Sequence, residues 1–106
     1  MSWYLGLDSS TQSLSALVID LESGRLVHEQ AVVFDEELPA YGTVQGVLPN
    51  DDPLIKHSDP LLWVQALDLL FERMGEAGID LSRVAAVSGS GQQHGSVYLD
   101  RGFLAP

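Results

Sequence analysis

At 106 residues, 45% hydrophobic and 19% charged, the chain has the length of one small domain or part of one, folded around a core rather than disordered. Fifteen acidic residues against five Lys plus Arg give a formal net charge of −10. That field argues against nucleic acid, yet still allows a mononucleotide whose phosphates are neutralised locally by backbone N–H groups and a metal ion. The chain has no cysteine, which excludes a disulfide frame and thiol catalysis; with no membrane-length apolar run and no signal-peptide start, it is expected in the cytoplasm and not in a membrane.

Trp3 to Asp8 reads as a short strand, Ser9 to Ser13 as a polar turn, and Leu14 to Asp20 as a second strand. Glu22, Ser23 and Gly24 supply turn chemistry, so Arg25 to Phe34, rich in Val, becomes a third strand antiparallel to the second. A meander of three strands is expected.

Asp35 to Ser58 carries Pro39, Pro49 and Pro53 and no clear period. A structureless connection of this length is uncommon in a compact domain. It reads either as a loop over a site or as a disordered excursion.

The helix signals that follow are strong. Ser58 or Asp59 is placed to cap the first N–H groups, Pro60 suits the first helical position, and Gly78 is the stop. Leu62, Trp63, Ala66, Leu67, Leu70, Phe71 and Met74 form an apolar stripe at helical spacing, which is a core face. Val84 to Ser88 is then an apolar run suited to a buried strand, and a helical crossover places it parallel in the same sheet, beside the first strand. The Gly-rich segment Gly89 to Gly95 follows, Ser96 to Leu99 resumes a strand, and Asp100 to Gly102 turns again.

Two places hold chemistry. Asp8 ends a strand and is followed by Ser9, Ser10, Thr11, Gln12 and Ser13. A hairpin of this kind directs N–H groups and hydroxyls at a phosphate while the carboxylate supports a hydrated magnesium ion. It is not a Walker loop, since Gly-Lys-Ser/Thr is missing. Taken alone, the same turn also fits a solvated hairpin with a capping Asp. In Gly89 to Gly95 the glycine spacing is wrong for a dinucleotide fingerprint and no capped helix follows. Gln92, Gln93 and His94 at a strand end offer amide and imidazole groups that donate to and accept from sugar hydroxyls; the alternative is a glycine-bounded turn facing water. His28, His57 and His94 are too scattered for a structural zinc site, and Asp51 with Asp52 reads as a solvated acidic face.

Together, Tyr4-Leu-Gly-Leu-Asp-Ser-Ser-Thr-Gln-Ser and Ser88-Gly-Ser-Gly-Gln-Gln-His-Gly-Ser-Val-Tyr-Leu-Asp resemble the opening phosphate motif and the sugar-binding turn of the FGGY carbohydrate kinases, in their xylulokinase form. Trp63-Val-Gln-Ala-Leu-Asp agrees, and Phe34-Asp-Glu-Glu-Leu-Pro is similar to the long loop of the animal type. The resemblance implies an α/β, ribonuclease H-like (actin-like ATPase) fold of two domains with ATP and sugar in the cleft between them, residues 1–106 being the first part of the first domain. It implies that Asp8 organises Mg2+ through water, that Ser10, Thr11 and Gln12 face the ATP phosphates, and that Gln93 and His94 contact D-xylulose. Ser10 departs from the pattern, since many relatives have glycine there. The resemblance puts the catalytic base beyond Pro106, so these residues alone are expected to be inactive. Without the rest of the domain, an open sheet edge is expected to favour self-association.

Overall fold

The computed structural model describes residues 3–52, 54, 56–91, 96–98 and 102. Three strands open the chain, β1 (Trp3–Ser9), β2 (Ser13–Asp20) and β3 (Arg25–Val33). A helical turn α1 (Phe34–Glu37) and a 3₁₀ turn Pro39–Tyr41 follow, then helix α2 (Leu61–Glu76), a 3₁₀ turn Leu81–Arg83 and strand β4 (Val84–Ser90). The sheet order is β3-β2-β1-β4. β1, β2 and β3 pair antiparallel, and β4 pairs parallel to β1, as the meander and the helical crossover predict.

Alternation sets which side chains form the core. In β2, Leu14, Ala16 and Val18 are buried while Ser13, Ser15 and Leu17 point to the other face. Asp20 ends β2 and its carboxylate accepts from the N–H of Glu22 at 3.0 Å and of Ser23 at 3.4 Å. Gly24, at φ +70°, completes the reversal into β3.

Helix α2 begins and ends on the expected signals. Asp59 Oδ1 accepts from the Leu61 N–H at 2.9 Å, and Pro60 already has helical angles, φ −63° and ψ −22°. At the other end Gly78 has φ +85°, its N–H donates to the Gly75 carbonyl, and the Ile79 N–H donates to the Met74 carbonyl. This is a Schellman motif, which satisfies carbonyls the helix leaves unpaired.

Leu62, Ala66, Leu70 and Met74 of α2 are fully buried against Trp3, Leu5, Leu14, Ala16, Val18, Val32, Phe34 and Leu38. Trp63, Leu67 and Phe71 flank the same cluster, partly buried. Each buried side chain of Leu or Phe size contributes roughly 1.5–3 kcal/mol. The Arg83 guanidinium lies 3.9 Å from the centre of the Trp3 ring and covers the edge of this core.

Three expectations change here. The loop 35–58 has local structure rather than none, with α1, a 3₁₀ turn and a bridge between Val44 and Val47. β4 is not buried, and Val87 is 60% exposed, because α2 packs on β2 and β3 and β4 lies outside its footprint. An apolar strand shows what it is built to bury, not that the covering element is near. Finally, Ser96, Val97 and Tyr98 do not form a strand, and Tyr98 is 92% exposed; Leu99, the last residue of the expected strand, lies outside the described residues. Among the described residues no helix is long and apolar enough to cross a membrane.

Candidate functional site

The polar turn sits where the antiparallel pair β1 and β2 closes. Ser10 N–H donates to the Ser13 carbonyl at 2.9 Å, the Ser10 hydroxyl donates to the same carbonyl at 3.1 Å and lies 3.2 Å from Ser13 Oγ. The Ser10 side chain therefore helps close the turn. Thr11 and Gln12 form its exposed tip. Among the described residues no hydrogen bond takes up the N–H of either one, so two donors remain available at the tip.

Asp8 faces a different cavity from Thr11 and Gln12. Parallel pairing sets Asp8 beside Ser90, and Ser90 Oγ donates to Asp8 Oδ1 at 3.0 Å. The two residues share a cavity of about 330 Å³ with Gly6, Ser15, Glu29 and Ser88, on the sheet face opposite α2. Ser90 was not singled out by the sequence. The signal was present, because a strand parallel to β1 brings its own C-terminal end next to Asp8, the end where open α/β sheets bind ligands.

Thr11 and Gln12 line a larger cavity of about 620 Å³, with Gln45, Lys56, His57 and Trp63 among its other walls. The loop 35–58 supplies much of it, consistent with a loop over a site. Several bonds hold this loop in place. Asp35 Oδ1 accepts from Thr43 Oγ1 at 2.7 Å and from the Gly46 N–H at 3.1 Å, and Asp35 Oδ2 accepts from the Gln45 N–H at 2.6 Å. Hydrogen bonding from the Thr43 hydroxyl, aided by the two N–H groups, holds the Asp35 carboxyl below its ordinary range against a smaller opposing effect of burial. Ser58 Oγ donates to the Gly46 carbonyl at 2.8 Å, and the Leu48 N–H donates to the His57 carbonyl at 2.7 Å. Glu37 ties α1 to its neighbours, accepting from the Val33 N–H at 2.8 Å and pairing with Arg73 of α2.

Of the residues proposed from sequence, Asp8, Ser10, Thr11 and Gln12 fall together on one hairpin. Gln93 and His94 lie outside the described residues. Ser96, Val97 and Tyr98, which follow them in the chain, line the larger cavity with Thr11 and Gln12. Trp63 is another wall of that cavity, and its buried Nε1–H has no acceptor among the described residues. Gln45, Lys56 and His57 carried no distinctive spacing and were identified only by the fold, whereas Trp63, read from sequence as a core-face residue of α2, also lines the cavity.

No group of three or more His, Asp or Glu among the described residues is arranged to hold a metal by itself. A single strand-end carboxylate nonetheless fits magnesium, which keeps several waters and binds through one or two carboxylates together with substrate phosphates. The N–H groups of Thr11 and Gln12, which line the larger cavity and not the one that Asp8 faces, fit a phosphate.

The chain is 48% identical to the xylulose kinase of Rattus norvegicus over 98 residues, 92% of this chain and 18% of the relative. It is 44% identical to xylulose kinase 2 of Arabidopsis thaliana over 102 residues and 46% identical to the xylulose kinase of Schizosaccharomyces pombe over 99, covering 95% and 93% of this chain and 18% and 17% of those relatives. The chain thus spans less than a fifth of the length of the curated relatives it matches. Among solved structures, a xyloylose kinase from Brucella ovis superposes with a TM-score of 0.66 at 27% identity, over 87% of this chain and 17% of that one. The ligand-bound xylulose kinase of Lactobacillus acidophilus superposes at 0.63 and 21% identity, over 89% and 16%, a likeness of fold. No protein-family model matches the chain. Sheet order, crossover helix and strand-end turn define part of a ribonuclease H-like sugar kinase fold. By sequence, these residues are similar to a segment of curated xylulose kinases.

Proposed function

We propose that the chain is the N-terminal part of an ATP-dependent kinase that phosphorylates D-xylulose to D-xylulose 5-phosphate in the cytoplasm. The observation that carries this reading is the identity of 44–48% to rat, plant and fission-yeast xylulose kinases over a segment whose strand-end hairpin leaves Asp8 and the Thr11 and Gln12 N–H groups available. In this reading Thr11 and Gln12 donate to the nucleotide phosphates and Asp8 orients the waters of a bound Mg2+. The ion, when bound, neutralises charge on the phosphates. Gln93 and His94 hydrogen-bond the ketose. The base that accepts the proton of the sugar hydroxyl lies in sequence outside residues 1–106, so these residues alone do not turn over. Phosphoryl transfer depends on positioning and charge stabilisation across a complete cleft.

The test is ATP-dependent phosphorylation by the full-length protein with D-xylulose, D-ribulose and glycerol as acceptors. A clear preference for xylulose is expected; equal or greater activity on another acceptor would reassign the substrate within the sugar kinases. A second expectation concerns residues 1–106 in isolation. β4 is an unprotected edge whose apolar Val87 is exposed, so copies pair edge to edge. Sedimentation should show concentration-dependent association, and a sharp monomer at high concentration would refute it.

A further inference from the structure

Resting on the kinase reading above, we propose that Asp35 is a positioning residue for the phosphate turn, locking the segment Thr43–Gly46 against the backbone of Thr11 and Gln12. Asp35 lines neither cavity and acts through that segment. Its two carboxylate oxygens take up the Thr43 hydroxyl and the N–H groups of Gln45 and Gly46, at 2.7, 2.6 and 3.1 Å. One side chain thereby dictates the path of four consecutive residues.

The path is one the backbone does not choose by itself. Gln45 and Gly46 are consecutive left-handed residues, with φ +53° and +83°, and for Gln45 that conformation is strained. The result is a close fit to the phosphate turn. A Cβ on Gly46 would lie 1.7 Å from the Thr11 carbonyl oxygen, 2.6 Å from its carbon and 3.1 Å from Gln12 Cα. On its other side the phosphate turn is held by the Phe34 N–H, which donates to the Gln12 carbonyl at 3.0 Å. Phe34 immediately precedes Asp35. The turn is therefore gripped by two elements that Asp35 joins, and the Ser58 hydroxyl closes the grip on the Gly46 carbonyl. Displacements of about 1 Å in a transfer site cost about a hundredfold in rate, so a brace on Thr11 and Gln12 has a functional consequence without touching substrate.

The experiment uses the full-length protein as wild type, D35N, T43V, T43S and G46A, each checked for folding by circular dichroism. Two readouts are taken. Amide exchange at Ser10 and Phe34, whose N–H groups close the turn and hold Gln12, is expected to quicken about tenfold in D35N, less in T43V, and not in T43S, which keeps the hydroxyl. In steady-state kinetics D35N is expected to raise the KM for ATP and lower kcat, together about tenfold or more, with the KM for xylulose within about twofold of wild type. G46A should reproduce both effects if it folds; D35N and T43V carry the test if it does not. The proposal is overturned if exchange in folded D35N matches wild type, or if exchange quickens while the ATP KM and kcat stay unchanged. If the wild-type protein phosphorylates no sugar, the kinase reading fails separately, and the exchange at Ser10 and Phe34 alone decides whether Asp35 braces the turn.

Discussion

Replacing Gly46 with alanine isolates the contact between the loop and the polar turn at Thr11 and Gln12. Two penalties combine there. The backbone is left-handed at φ +83°, which costs an L-residue roughly 1–2 kcal/mol. The new methyl would also lie 1.7 Å from a backbone carbonyl oxygen, so the segments must separate by more than an ångström. No rotamer change relieves that overlap, and forced overpacking costs roughly 1–3 kcal/mol. The sum is about 2–5 kcal/mol. Gly42 provides an internal control, because it too is left-handed, at φ +69°, but nothing lies within 4 Å of a Cβ placed on it. G42A should therefore show only the backbone penalty. In urea denaturation of both variants followed by circular dichroism, G46A should lose at least 1 kcal/mol more than G42A, with unchanged m-values. Equal losses in the two variants would refute the packing argument and separate the loop from the polar turn.

Other consequences are measurable on the same protein. L70A empties a fully buried position between α2 and the sheet and should cost about 2–5 kcal/mol by denaturant melt; a loss below 1 kcal/mol would mean that α2 does not pack there. Q45G removes a side chain from a left-handed residue at φ +53° and should stabilise the fold by several tenths to about 1 kcal/mol, read as a rise of a few degrees in Tm. The Asp35 carboxyl is held below its ordinary value of 3.8, so its contribution is fully present above that pH and is lost as pH falls through the lower folded-state value. Amide exchange at Gln45 and Gly46 should accordingly quicken below about pH 3.8, and D35N should abolish that pH dependence.

The meander, the capped helix with its glycine stop and the parallel strand after it were all readable, because alternation, capping and the Schellman glycine act over a few residues. Asp8 to Gln12 was also readable as a polar strand-end turn, since strand end, polar run and hairpin are contiguous. The brace on that turn was not. Asp35 bonds residues 8 to 11 positions away, and Gly46 meets Thr11 35 positions earlier, with no periodicity linking them. β4 failed in the opposite direction. Its composition states that it is made to be buried, and here α2 does not reach it. Local rules thus determined which segments are strands, helix and turn. Only the tertiary structure decided that an apparently structureless loop grips the turn from behind, because backbone proximity between distant segments is set by packing.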